Sequence, residues 1–390
     1  MHPILAHLQA RSPEITGLLR ELVECESPSG SSAAVNRFVD LFSARVADIA
    51  RCRALPGGRF GKNLLVTFHL PGPRRKNPGR ILAVGHSDTV WPLGTLAHMP
   101  WRDEQGRLWG PGVLDMKAGL VFFVEAMRAL RALDIPVRRE VALFLVSDEE
   151  VGSPASRPIT EGLARESAAV LIPEPGTGLQ GKLKTARKGV GAYTVKVTGK
   201  AAHAGVDFAA GASAIVELAA QIGRIASFTN LKKGLTVNPG VVRGGSRSNV
   251  VAAEAECEVD IRIARLRDFP PLDRKFRALK PVDPRCRLDV EGGLNRPPME
   301  RTPGVRALFQ AARTLAWRHL GLKIEESATG GGSDGNFTAA VGTPTLDGLG
   351  GVGEGAHAPH ESILKDRIAD RAALLALLTA HLADSFGTIK

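Results

Sequence analysis

The chain has 390 residues, 44% of them hydrophobic, and a formal net charge of +11. That length exceeds one compact core, so two domains are expected, and the hydrophobic fraction excludes a disordered chain. The positive charge is scattered, and aromatics make up 5% with a single Tyr, which argues against nucleic acid as a partner and suits attraction of an anionic small substrate.

No apolar run reaches transmembrane length. Residues 1–20 carry His2, His7, Arg11 and Glu14 without the apolar core of a signal peptide, so a cytoplasmic protein without membrane attachment is expected. Cys25, Cys52, Cys257 and Cys286 form no Cys-x-x-Cys pair and read as free thiols of a reducing compartment. A helix is expected from Glu14, with Pro13 near its first turn. Ser27-Pro28-Ser29-Gly30 is a break. Val35, Phe38, Val39, Phe42 and Val46 then recur at helical spacing. Residues 63–70 read as a strand, followed by a loop holding the basic run Arg74-Arg75-Lys76.

Residues 81–84 are a short apolar run, read as a buried strand. It ends in Gly85-His86-Ser87-Asp88-Thr89-Val90. In open α/β sheets the carboxyl ends of strands hold the ligands. His86 and Asp88 lean to the same side of an extended chain. That spacing suits a metal-facing imidazole oriented by a carboxylate. Residues 91–107 read as an irregular insertion. Asp115 follows a glycine-rich stretch and precedes an apolar helix over 120–133. An N-cap is one reading of it; the surrounding glycines favour a functional carboxylate. The strand at 141–146 ends in Ser147-Asp148-Glu149-Glu150, three consecutive acids that repel one another unless a cation neutralises them. The strand at 168–172 is followed by Pro173-Glu174-Pro175.

Beyond Gly176 the pattern changes. Residues 185–199 alternate like an exposed antiparallel strand. A loop with His203, a helix over 209–228, and strands over 235–242 and 248–264 follow; in the last, Ala255, Cys257, Val259, Ile261 and Ile263 alternate. A helix over 268–279 and a strand over 287–291 complete an α+β unit. The final part returns to α/β character: a helix over 305–320, Thr329-Gly330-Gly331-Gly332-Ser333-Asp334, a short strand at Pro344, a glycine-rich run, His357 and His360 before Glu361, and a closing helix over 364–386. The expected division is residues 1–179 and 295–390 as one α/β domain and 180–294 as the insertion.

Six residues gather at strand ends and turns: His86, Asp115, Glu149, Glu150, Glu174 and His357. Imidazoles and carboxylates without thiolates suit Zn²⁺ or a similar ion. Two ions need about three protein ligands each, with one carboxylate shared. His86, Asp115 and Glu174 make one set, and Asp115, Glu150 and His357 the other. Glu149 is then left beside the metals, able to take a proton from a metal-bridging water and pass it to a leaving amine. That is the chemistry of amide hydrolysis.

In this order and over nearly the whole chain, the motifs resemble the dinuclear zinc hydrolases that include glutamate carboxypeptidase, acetylornithine deacetylase, succinyl-diaminopimelate desuccinylase and aminoacylase. Thr329-Gly330-Gly331-Gly332-Ser333-Asp334 most resembles the carboxypeptidase branch. The resemblance implies a mixed, mostly parallel sheet flanked by helices, with the insertion serving as a dimerisation domain. It implies two Zn²⁺ per subunit, with Co²⁺ or Mn²⁺ as substitutes, a bridging role for Asp115 and a cis peptide after it, and Asp88 orienting His86. Similarity in spacing to Glu361 favours His357 over His360 as the last ligand. His203 is expected to reach the other subunit's site and stabilise the tetrahedral oxyanion. Asn249 and Arg262 fall where the family holds substrate polar groups, and Arg187 is a further candidate. For either arginine a surface ion pair is the competing reading. Gly331 and Gly332 would let backbone amides approach substrate. The expected reaction is hydrolysis of an amide beside a free carboxylate, in an acyl-amino acid or peptide-like molecule. The alternatives are an aminopeptidase or dipeptidase of the same metal chemistry, and a non-catalytic metal-stabilised binding protein.

Overall fold

Apolar runs without polar breaks become inner strands because both of their faces are covered. In the strand Arg80–His86, Ile81 and Ala83 pack into one hydrophobic cluster and Leu82 and Val84 into another. The first cluster includes residues of the helices Ser32–Val46, Ala118–Ala132 and Ile368–Ser385. The second includes Ala164 from Arg157–Arg165. The computed structural model describes residues 1–74 and 79–385. Arg75 and Lys76 of the basic run, and Phe386 at the end of the expected closing helix, lie outside them.

Among the described residues the large sheet has eight strands, in the order Ala50–Pro56, Lys62–Phe68, Val141–Val146, Arg80–His86, Ser167–Ile172, Thr345–Asp347, Leu183–Arg187, Glu326–Thr329. The four from Val141–Val146 to Thr345–Asp347 run parallel, with antiparallel neighbours outside them. This is the mixed, mostly parallel α/β architecture expected, and the acids and imidazole of the motifs sit at the carboxyl ends of its inner strands.

A second, small sheet matters for the site. It orders Gly353–Glu354, Ser362–Leu364, Arg107–Trp109 and Arg102–Glu104. Ser362 pairs with Trp109, so the segment leading to Asp115 and the turn holding His357 issue from adjacent strands. Strands of two or three residues carry no readable periodicity, and this pairing replaces part of the irregular insertion expected over 91–107.

The chain divides into two compact units. The larger spans Met1–Ala186, Arg301–Ala328 and the chain from Ser333 onward; the smaller spans Arg187–Glu300 with Thr329–Gly332. The alternating run expected as one strand over 185–199 is two. Leu183–Arg187 joins the large sheet, where Lys184 pairs with Asp347. Gly189–Thr198 belongs to the smaller unit's antiparallel sheet, ordered Thr236–Gly244, Glu254–Ile263, Gly189–Thr198, Arg287–Arg296. The strand expected from 248 begins only at Glu254, because the residues before it form a loop tied by Val251 N to Ala202 O. Cys257, Val259 and Ile261 face a core closed by the helices Ala214–Ala226 and Phe269–Arg277, in which Tyr193 stacks on Phe276 with ring centroids 3.8 Å apart. The four cysteines are free thiols. No helix among the described residues is long and apolar enough to cross a membrane.

Candidate metal centre and active site

His86 closes its strand almost fully buried. Its Nδ1 lies 2.8 Å from the main-chain carbonyl of Asp88 and 3.6 Å from that residue's Oδ1. The nearer partner of the ring is therefore the Asp88 backbone. The carboxylate is engaged elsewhere: it accepts from Ser29 Oγ at 2.7 Å and from the amides of Glu149 and Glu150, each at 3.2 Å. Asp88 thus ties the end of one inner strand to the acidic turn following the next. Burial pushes its carboxyl up to about 6, against the opposing pull of His86 and the Ser29 hydroxyl.

Asp115 sits in the turn between Gly112, at φ +72°, and the helix Ala118–Ala132, and its peptide bond to Met116 is cis. Gly119 in that helix allows a close backbone approach: a Cβ there would lie 1.7 Å from the carbonyl oxygen of Pro173. The start of this helix therefore rests on the strand end that carries Glu174. The two oxygens of Asp115 face different rings, with Oδ1 3.2 Å from His86 Nε2 and Oδ2 3.3 Å from His357 Nε2. Glu174 Oε1 lies 3.6 Å from His86 Nε2, and Glu150 Oε1 lies 3.3 Å from His357 Nε2. The imidazole of His360 is exposed, and the carboxylate contacts belong to His357.

The acids draw protons onto both rings. Hydrogen bonds to Asp115 and Glu150 carry His357 up to about 10. Burial pulls His86 down, but its hydrogen bonds to Asp115 and Glu174 outweigh that and hold it well above its ordinary value. Asp115 is held well below the usual carboxylate range, because the two imidazoles overcome its burial. A pocket that stabilises positive charge this strongly, through imidazole nitrogen and carboxylate oxygen, fits a divalent cation of the zinc type. His86, Asp115 and Glu150 can each offer a ligand atom, all within 4.8 Å of one another.

The neighbouring acids separate in direction. Asp148 turns back to cap the following chain, its Oδ2 accepting from Ala155 N at 2.7 Å and Ser156 N at 3.2 Å. Glu150 faces His357. Glu149 lies near enough for its charge to raise the pKa of His86.

The other site candidates belong to the smaller unit. His203 is exposed, its Nδ1 accepting from Gly205 N at 3.1 Å. Its loop is joined to that of Asn249 by Ala204 N donating to Asn249 O at 3.0 Å. Buried Arg187 donates through Nη1 to the carbonyls of Gly331 and Gly332, at 3.2 and 3.0 Å. Arg262 is paired with Asp260 through Nε and Nη2, while its Nη1 reaches the carbonyl of Gly330 at 3.3 Å. The Gly330–332 loop is therefore gripped by two guanidinium groups from the same unit.

One residue of the site was not singled out by sequence. Glu361, fully buried, accepts from Gly112 N, Leu114 N and Asp115 N at 2.9, 2.9 and 3.0 Å, and from Trp91 Nε1 at 2.8 Å. The signal available was an acid placed just after the two candidate imidazoles.

A model described as peptidase family M20/M25/M40 matches residues 82–381. The chain belongs to this family. Carboxypeptidase G2 of Pseudomonas sp. (strain RS-16) is 28% identical over 350 residues, covering 88% of this chain and 83% of that one. Acetylornithine deacetylase of Salmonella arizonae is 28% identical over 272 residues, covering 64% and 68%. The solved aminopeptidase PepT of Bacillus cereus shares the fold with a TM-score of 0.76 at 21% identity, over 96% of this chain and 99% of that one. This M20 chain is a metallohydrolase, as the motif resemblance implied, and the reading as a non-catalytic binding protein falls away.

Proposed function

We propose that this metallohydrolase holds two divalent ions and cleaves an amide or peptide bond beside a free carboxylate, as a carboxypeptidase or N-acyl-amino-acid deacylase, with a glutamate-type substrate preferred. The observation that carries the two-ion reading is Asp115, whose two oxygens face two different imidazoles. His86, Asp115 and Glu174 would hold one ion, and His357, Asp115 and Glu150 the other. Zn²⁺ is the proposed ion, with Co²⁺ or Mn²⁺ as substitutes. Bound there, the ions would supply Lewis acidity toward the scissile carbonyl and lower the pKa of water toward neutrality. Glu149 takes that proton and returns it to the leaving nitrogen. Asp88 keeps His86 and the 149–150 backbone in register.

Arg187, Arg262, Asn249 and the amides of Gly331 and Gly332 are proposed to orient the substrate carboxylate and acyl group. Arg262 holds Asp260 through Nε and Nη2, the ion pair that was its competing reading, so its part in orienting substrate runs through the glycine loop on which both arginines converge. The net charge of +11 favours capture of an anionic substrate. The test is hydrolysis by metal-stripped and Zn²⁺-reloaded protein across N-acyl amino acids, N-blocked dipeptides and free dipeptides. Turnover of N-blocked substrates bearing a free carboxylate is expected, abolished by chelation and restored by Zn²⁺, Co²⁺ or Mn²⁺. Cleavage of free-amine substrates alone would replace this reading with an aminopeptidase or dipeptidase.

A homodimer formed through the smaller unit, with His203 acting in the other subunit's site, is part of the proposal. Val206, Phe208 and Val216 there are each more than two-thirds exposed, and the edge strand Thr236–Gly244 exposes Val241 and Val242. Apolar side chains and an open strand edge are what a second copy covers. Mixing His203→Ala protein with Glu149→Ala protein should restore about a quarter of wild-type activity, since half the dimers would be hybrids with one intact site each. No recovery despite demonstrated subunit exchange would place His203 outside a shared site.

A further inference from the structure

We infer that Glu361 is a positioning residue, whose buried carboxylate locks the segment carrying Asp115 to the turn carrying His357 and so sets metal affinity at the His357, Asp115 and Glu150 set. The inference rests on the two-ion reading above and extends it to a residue that touches neither metal nor substrate.

Its four donors divide between its two oxygens. Oε1 accepts from Leu114 N and Asp115 N, and Oε2 from Gly112 N and Trp91 Nε1. An ionised carboxylate out of contact with water is stable only with such a complement of donors. Here the donors are the backbone of the turn that aims Asp115. The other end of the clamp is covalent, because Glu361 lies four residues after His357. The chain around His357 is folded back by Ala358 N donating to Gly355 O at 2.8 Å, and the step to Glu361 by Glu361 N donating to Ala358 O at 2.9 Å. The pairing of Ser362 with Trp109 holds the two bases of the clamp together. Within the frame set by this pairing, the Glu361 side chain fixes the angle at which Asp115 and His357 meet.

The partners of the first set have separate supports. His86 is held by its strand and the Asp88 carbonyl, and Glu174 by Gly350 N donating to its carbonyl at 2.8 Å. Asp115 is shared by both sets, but of the unshared ligands only His357 hangs on the clamp, so loss of the clamp should fall more heavily on the second ion than on the first. Gln at 361 keeps the shape but sets an amide nitrogen against two N–H donors. Asp keeps both oxygens and withdraws them by one methylene.

The test uses the full chain as wild type, Glu361→Gln and Glu361→Asp. Each is stripped of metal, titrated with Zn²⁺ against a chromophoric chelator, and examined by Co²⁺ absorption. Wild type should bind two equivalents per subunit. In Glu361→Gln one equivalent should stay within about threefold of wild type while the other weakens about 10–100-fold, the range seen when a group supporting a ligand is lost, with an altered cobalt band. Glu361→Asp should fall between, and it carries the test if the Gln protein does not fold. Both equivalents within twofold of wild type and an unchanged cobalt band, even with lower heat stability, would reduce Glu361 to a packing residue. Equal weakening of both equivalents would overturn the assignment to one set. Wild-type protein that binds no metal would instead remove the two-ion reading itself.

Discussion

Glu149→Gln protein should keep its full complement of metal and lose about 10²–10⁴-fold in kcat, the range attributed to a positioned general base. The geometry separates these two effects. The main chain at 149 is held by the Asp88 carboxylate, an interaction the amide substitution does not touch. Its side chain stands outside the two proposed ligand sets, yet acts electrostatically on His86. Gln preserves size and polarity but cannot accept a proton from the attacking water, so the chemical step fails while the pocket persists. Metal content by elemental analysis and turnover on an N-blocked substrate decide the matter together. Full turnover would take the general-base role from Glu149. Lost turnover with lost metal would make Glu149 a ligand and displace Glu150 or Glu174 from that role.

The same separation explains which parts of the site were legible in the sequence. Inner strands buried on both faces leave apolar runs, so the polar residues where they stop are conspicuous; His86, Glu150 and Glu174 were found in this way. Their order and motifs then pointed to the family. The outer strand Ala50–Pro56 was missed because most of its residues are exposed or half-buried and its composition reads as polar loop. The break between Leu183–Arg187 and Gly189–Thr198 was missed because alternation continues across Lys188 while the hydrogen-bond partners change. Asp88 shows a subtler limit. A His-x-Asp spacing suggests carboxylate on imidazole, but the backbone carbonyl takes the ring and the carboxylate takes two amides. Glu361 served only as a spacing marker for His357, and its hold on the 112–115 backbone was unread for a related reason. A buried acid that organises backbone and an exposed acid in a solvated turn have the same local sequence, and only a fold that brings 112–115 beside 361 tells them apart.

Asp115→Ala should be at least comparably damaging to Glu149→Gln, by a different route. It removes the carboxylate shared by both proposed ligand sets and leaves each set with one imidazole and one carboxylate, His86 with Glu174 and His357 with Glu150. Lewis-acid stabilisation is worth several kcal/mol, and each 1.36 kcal/mol is a factor of ten in rate, so a fall on the order of 10³-fold or more is expected. Metal content should fall with it, which distinguishes this variant from Glu149→Gln. Asp115→Asn sharpens the test. One amide oxygen remains to face one imidazole, while the amide nitrogen meets the other with a donor. If Asp115 bridges, the Asn protein should retain at most one tightly bound equivalent. Retention of both equivalents would mean the two ions do not share this side chain, and the pairing of His86 with His357 through Asp115 would then be a contact between imidazoles and an acid with no bearing on catalysis.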